Sequence, residues 1–191
     1  MGSESIKIKL IDTAISELIN GRWEQLTIKV LSTKTKIKVS QINKISSSKE
    51  GLLDLWSQNI NLKILDKVTL QELEEVNIKE RILELILCRL DVLNEHKQEI
   101  LALMKLARKN GIESIRAFER IKKSMQYILN LSGAKMAGKK GALKIIVLSL
   151  IWVITLKDWS ELKEDDDDSS VMSKLDKRLL IAEKLNNSLF V

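Results

Sequence analysis

The chain predicts an all-α fold. Three observations carry that reading: proline is absent from all 191 residues, apolar residues recur at helical spacing along most of the length, and alternating β-branched runs are few. With 45% apolar and 30% charged residues the composition is that of an ordinary soluble globule, long enough for one domain or for a small domain fused to a larger one. The pattern divides into a helix-turn-helix region over 1–47 and a larger helical region over 48–191, with about nine helices in all.

The first helix runs from about Ser3 to Asn20, buries Leu10, Ile11, Ala14 and Leu18, and ends near Gly21, the residue type that most easily closes a helix in the left-handed conformation. Trp23 and Leu26 pack the following link against the next helices. Thr27 caps a short helix with Ile28 and Leu31 inward, residues 32–36 form the turn, and Ile37 or Val39, with Ile42 and Ile45, braces a second short helix. Ser47 or Ser48 then caps a helix reaching about Leu65, with Glu50 at the positive end of its dipole and Leu52, Leu55, Trp56 and Ile60 on its inner side. LDKVTLQELEEVN, from Leu65 to Asn77, is a polar connector with room for one short turn.

From Asn77 a wide stripe of Ile82, Leu83, Ile86, Leu87, Leu90 and Leu93 demands burial. A helix from about Glu95 to Lys109 breaks at Asn110-Gly111, in the manner of a left-handed cap. The next, about Ile112 to Leu131, turns Ile115, Phe118, Ile121, Met125 and Ile128 inward. The helix from about Gly138 to Trp159 is apolar on almost every side after Leu143, so it needs either a central position or a subunit interface. An acidic loop, ELKEDDDDSS, leads to a last amphipathic helix from about Ser170 to Ser188, with Val171, Leu175, Leu179, Ala182 and Leu185 inward.

Several functions find no residues to serve them. One cysteine, Cys88, allows no intramolecular disulfide and reads as a small apolar side chain in a helix; with His96 the sole histidine, no transition-metal site is expected. GAKMAGKKG (133–141) lacks the strand and the GKS or GKT ending of a phosphate loop and reads as a basic helix start; the EDDDD run lacks calcium-loop spacing and reads as a solvated turn. No nucleophile, base and orienter assemble, so no catalytic residues and no enzyme are expected. The start lacks the apolar run of an export signal, and the longest apolar stretch, Ile145 to Leu156, is shorter than a membrane span of about 20 residues. The expected location is the cytoplasm, with a peripheral contact at the inner face of the membrane.

The helix-turn-helix frame resembles the N-terminal domain of TetR-type regulators without a gap from Thr27 to Leu53, where SKEGLL matches that family's SKEALL-like helix start. The family's turn glycine falls on Lys36, its phosphate-contacting tyrosine on Asn43, and its aromatic-proline pair on Ser46 and Ser47. Lys29, Lys34, Lys36, Lys38, Lys44 and Lys49 meet no acid between residues 27 and 49, a patch suited to DNA phosphates or to an anionic membrane, and also compatible with a merely solvated face.

A second resemblance covers most of the chain from about Glu80 onward. RLDVLNEHKQEILALMKLARKNG is similar to the RFDAL-type segment of the ubiquinone-biosynthesis accessory family typified by the ninth coenzyme Q protein. WVITLKDWSELKEDDDDSSVMSKLDKRLLIAEKL is similar to that family's C-terminal signature: a helix ending in tryptophan, an acidic loop, then a helix with LDRRL, here Leu175 to Leu179. Leu90 stands for the family phenylalanine and Ser170 for the loop proline.

This family shares the TetR fold. The resemblance implies a non-catalytic homodimer whose chamber holds an isoprenoid or quinone-like lipid and presents quinone precursors to a hydroxylase partner at the membrane. Leu83, Leu87, Met104, Met125, Leu129, Ile146 and Leu150 supply a plausible adaptable apolar lining, although each also reads as plain core or dimer interface. The last helix, with Lys174, Lys177, Arg178 and Lys184 opposite its apolar stripe, suits an anionic lipid surface as well as packing. The alternative is a dimeric DNA-binding regulator in which Lys29, Lys38 and Lys44 contact phosphates, Gln41 and Asn43 reach base edges, and the chamber holds an effector. A degenerate module that binds only a protein partner is a third reading.

Overall fold

The computed structural model describes residues 2–162 and 169–185. Among the described residues there is no strand; the elements are α1 (Ser3–Ile19), α2 (Ile28–Thr35), α3 (Val39–Ile45), α4 (Lys49–Lys63), a 3-10 turn (Ile64–Asp66), α5 (Leu70–Glu74), α6 (Ile78–Asn94), α7 (Lys97–Lys109), α8 (Gly111–Leu131), α9 (Gly138–Ser160) and α10 (Ser169–Leu185). The helix beyond the nine expected is α5, the short turn of the polar connector. The EDDDD run and the end of the last helix lie outside the described residues.

Contacts group the chain into two compact units, Met1–Ile60 with His96–Ser114, and Asn61–Glu95 with Ile115–Val191. The division drawn from the sequence followed chain order; these units interleave along it.

In the first unit α1 packs against α2 and α7, and α2 against α3. The inner face of α1 is Leu10, Ile11, Ala14, Ile15 and Leu18, all buried. Gly21 ends this helix at φ 70, and two bonds close the motif: Gly21 N–H donates to Leu18 O and Arg22 N–H to Glu17 O. Trp23, Leu26, Leu31, Ile37, Ile42, Leu52, Leu53, Trp56 and Ile100 complete the core. His96 packs its ring edge-on to Trp56 at 5.8 Å and lies 3.3 Å from Glu99 Oε1, a structural setting.

The left-handed cap expected at Asn110-Gly111 is not what breaks the chain there. Asn110 is extended (φ −137, ψ 113) and its Oδ1 accepts from the amides of Ile112 and Glu113 at 3.0 and 3.3 Å, so it starts α8 by N-capping. The helix break is real, but its chemistry belongs to the asparagine side chain.

In the second unit α10 packs against α9 and α6. A capping box of Asn77 and Glu80 starts α6. Arg81 ties the connector down, donating to the carbonyls of Val76 and Glu74 at 2.9 and 3.1 Å and to that of Ser132 at 3.5 Å. The glycines before α9 are explained by backbone geometry: Gly133 and Gly138 have positive φ, and a Cβ on Gly141 would lie 2.1 Å from the carbonyl oxygen of Met136. In α8 the buried stripe runs through Arg120, Ser124, Met125, Ile128 and Leu129, which leaves Ile115, expected inside, 66% exposed.

Arg89 lies against the Trp152 ring, Trp159 Nε1–H donates to Asn94 Oδ1 at 2.7 Å, and Arg178 donates to Asp158 and to Thr155 Oγ1. Lys79 pairs with Asp176 at 3.5 Å. These residues fasten α6, α9 and α10 to one another.

Candidate nucleic-acid interface

The α2–turn–α3 unit is built as its sequence dictates. Thr27 is extended and its Oγ1 accepts from Val30 N–H at 3.2 Å, capping α2. Thr35 is buried and returns its hydroxyl to Leu31 O at 2.7 Å; Ser32 Oγ donates across the turn to Ile37 O at 2.6 Å. Lys36 takes the left-handed conformation, φ 60 and ψ 28, at the position where the TetR pattern has glycine. Ile37 and Ile42 are the braces and Val39 is exposed, which resolves the choice between Ile37 and Val39.

The outer side of α3 therefore carries Ser40, Gln41, Asn43 and Lys44, all exposed, together with Lys29, Lys36 and Lys38 from α2, the turn and the start of α3. None of Lys29, Lys36, Lys38 or Lys44 has an ion-pair partner among the described residues. The other two lysines of the run are engaged. Lys34 lies 3.2 Å from Glu17, and Lys49 donates to Trp23 O with its ammonium 4.9 Å from the centre of that ring.

Glu17 organises this side of the unit. Its buried carboxylate takes both Nε and Nη2 of Arg22 at 3.0 Å, and Lys34 as well. The Arg22 bonds, aided by Lys34, outweigh burial and hold the carboxyl down at about 2. A local charge count could not find this pair, because the acid sits on α1, outside the lysine run.

At the start of α4, Ser48 is the cap: its Oγ accepts from Gly51 N–H at 3.1 Å. Ser46 Oγ donates to Ser48 O at 2.7 Å and occupies the space where a Cβ on Gly51 would fall, 2.2 Å away. Serine at 46 and glycine at 51 thus fit one another where the TetR pattern has an aromatic and an alanine.

The proposed lipid-lining residues fall in both units. Met104 belongs to the first unit; Leu83, Leu87, Met125, Leu129, Ile146 and Leu150 belong to the second. Met125 and Leu129 are fully buried and Leu83 and Leu87 half-buried. Ile146 and Leu150 are 45% and 51% exposed, so they do not line the interior of their unit. The inner side of α9 is taken by Leu148, Ile151, Trp152, Thr155 and Trp159, while Leu143, Ile146, Leu150, Val153 and Ile154 form an apolar stripe on the outside. No helix among the described residues is long and apolar enough to cross a membrane.

No protein-family model matches the sequence, and no curated protein matches it either. The crystal structure of the TetR transcriptional regulator from Nitrosomonas europaea ATCC 19718 superposes with a TM-score of 0.64, covering 94% of this chain and 98% of that one at 17% identity. The fold is TetR-like. At that identity the likeness speaks for the scaffold alone.

Proposed function

We propose that the protein is a dimeric DNA-binding transcriptional regulator of the TetR type. The observation that carries this reading is the acid-free outer side of the helix-turn-helix: Gln41 and Asn43 stand exposed on α3, flanked by Lys29, Lys36, Lys38 and Lys44, which have no ion pair among the described residues. Amide side chains read adenine edges and lysines neutralise phosphates, so this arrangement divides base reading from positioning. The outer stripe of α9 supplies the homodimer interface, since Leu143, Ile146, Leu150, Val153 and Ile154 are each at least 40% exposed on one helix. Selection of duplexes from a random-sequence pool tests the reading: the expected product is a palindrome with half-sites about one helical turn apart. A pool that stays random, or one enriched equally by a Gln41→Ala/Asn43→Ala variant, sinks it.

A second reading is a non-catalytic lipid-binding accessory role in ubiquinone biosynthesis, with an isoprenoid or quinone-like ligand, a hydroxylase partner and a peripheral membrane contact. It is favoured by the matched segments around Arg89, Trp159 and Arg178, by Asn43 standing where TetR proteins carry the phosphate-contacting tyrosine, and by Ser46 and Ser47 standing where they carry an aromatic-proline pair. Mass spectrometry of organic extracts separates the two readings. Isoprenoid lipid that co-purifies with the wild type and is lost in Leu83→Trp and Leu129→Trp supports the second; lipid-free protein that selects a palindrome supports the first.

A further inference from the structure

The second unit buries a guanidinium among neutral groups. Arg89, on α6, is 6% exposed. Its Nη1 donates to Asn61 Oδ1 on α4, its Nη2 donates to Ser124 Oγ on α8 at 3.2 Å, and the Trp152 ring on α9 lies 5.4 Å from its Cζ. Its Nε–H has no partner among the described residues. A guanidinium offers five N–H donors, so these two hydrogen bonds leave most of its capacity unused.

Among the described residues the surroundings supply no counter-charge. One turn away on the same helix faces stand Leu85, Leu93, Ile128 and Leu148, each at most 1% exposed. The buried charged residues of this unit, among those described, are Arg89, Arg120 and Lys144, all cations; the buried acids Glu17 and Glu113 both belong to the other unit. Burial draws the Arg89 guanidinium down to about 10 with no acid to oppose it, so it remains charged at neutral pH. An ion buried in an apolar layer with only neutral hydrogen-bond partners is costly, and an incoming anion relieves that cost.

We propose that Arg89 is the anion anchor of a ligand site in the second unit, and that the ligand is an organic acid with an apolar body whose carboxylate takes Nε–H and the spare Nη protons. A carboxylate suits the site better than a phosphate, because it carries one charge, matches the planar fork and costs less to strip of water beside leucine and tryptophan. Within the regulator reading this acid is the effector. Its binding, however, needs no DNA, so the two ideas fail separately.

The test uses the full chain, heated with decanoate, phenylacetate or the neutral decanol at equal, submicellar concentration while tryptophan fluorescence follows unfolding. At about a hundred times its Kd a bound carboxylate raises Tm by ~5–10 °C. Decanol raises it far less, and Arg89→Met loses the difference. Because that variant leaves Asn61 and Ser124 without their donor and can misfold, a second readout stays with the wild type: the ¹³C signal of carboxyl-labelled decanoate, whose bound form remains ionised at a pH where the free acid is protonated. The proposal is overturned by equal shifts from decanoate and decanol, by undiminished shifts in a folded Arg89→Met, by a bound carboxyl that titrates like the free acid, or by a wild type that neither acid stabilises. Carboxylate binding without any DNA selection would sink the regulator reading alone.

Discussion

The salt dependence of the proposed DNA binding follows from which lysines the fold leaves free. Lys34 is held by Glu17 and Lys49 is folded over Trp23, so Lys29, Lys36, Lys38 and Lys44 remain on each protomer. The two protomers of the proposed dimer then offer about eight phosphate contacts, and at about −0.9 per contact the limiting slope of log K against log salt is about −7. Lys38→Ala removes one contact per protomer and flattens the slope by about 2. Lys36→Gly flattens it equally but raises folding stability by about 0.5 kcal/mol, because glycine adopts φ 60 without the left-handed penalty, less the entropy it loses on folding. Lys34→Ala changes the slope less than either, its charge being shared with Glu17. Fluorescence anisotropy of a labelled 30-bp duplex, titrated between 50 and 200 mM KCl, reads all four slopes; thermal melts read the stability. A wild-type slope near zero refutes the interface, and a Lys34→Ala effect as large as that of Lys38→Ala refutes the assignment of free and engaged lysines.

Three further outcomes follow from the packing. Leu150→Glu places a carboxylate in the outer stripe of α9, twice in each proposed dimer, and raises the dimer dissociation constant at least about a hundredfold; an unchanged sedimentation coefficient at micromolar protein counts against that interface. Glu17 contributes stability present above its unfolded value of 4.5 and lost as pH falls toward about 2. The stability gap between wild type and Glu17→Gln is thus about 2 kcal/mol near neutrality, discounted for the exposed Arg22, and closes on acidification; a gap that is flat with pH, by urea titration, contradicts the depressed carboxyl. Gly141→Ala costs about 2–4 kcal/mol in the same assay, since its Cβ meets backbone and cannot be accommodated by a side-chain rotation; an alanine variant as stable as wild type would mean the segment before α9 relaxes freely.

Helix positions were legible from periodicity because most helices here are amphipathic, and a polar side fixes which way the apolar side points. The α9 helix shows where that logic stops: apolar on nearly every side, it has a detectable length but no phase, so its pattern does not show which side carries Ile146 and Leu150, both exposed in the structure. In α8 the phase is set by Arg120 and Ser124, polar residues that the apolar pattern passes over, which is why that pattern turns Ile115 inward and the structure leaves it exposed. The caps at Thr27 and Ser48 are local chemistry and could be read locally. The Glu17–Lys34 pair and the Arg89 cluster join distant segments, and a single sequence carries no signal for such meetings.

The two resemblances weigh differently once each matched residue has a physical task. In the second unit, Asn94 with Trp159, Asp158 with Arg178 and Asp176 with Lys79 hold α6, α9 and α10 together, so a chain can share these segments with a lipid-handling family without sharing its ligand. In the helix-turn-helix, the departures are accommodated on the spot: Lys36 adopts the left-handed turn, and the missing Cβ of Gly51 leaves room for the Ser46 hydroxyl. Caps and braces are needed for folding whatever the module does, and their persistence argues for no function. Folding does not require an outer side with four lysines that have no ion pair among the described residues around Gln41 and Asn43, since solvent-facing positions accept acids equally well and opposite charges at helical spacing are mildly stabilising. That cationic side is what a polyanion would select, which is why the lysine-by-lysine salt slopes, more than any measure of the fold, decide between a regulator and a scaffold put to other use.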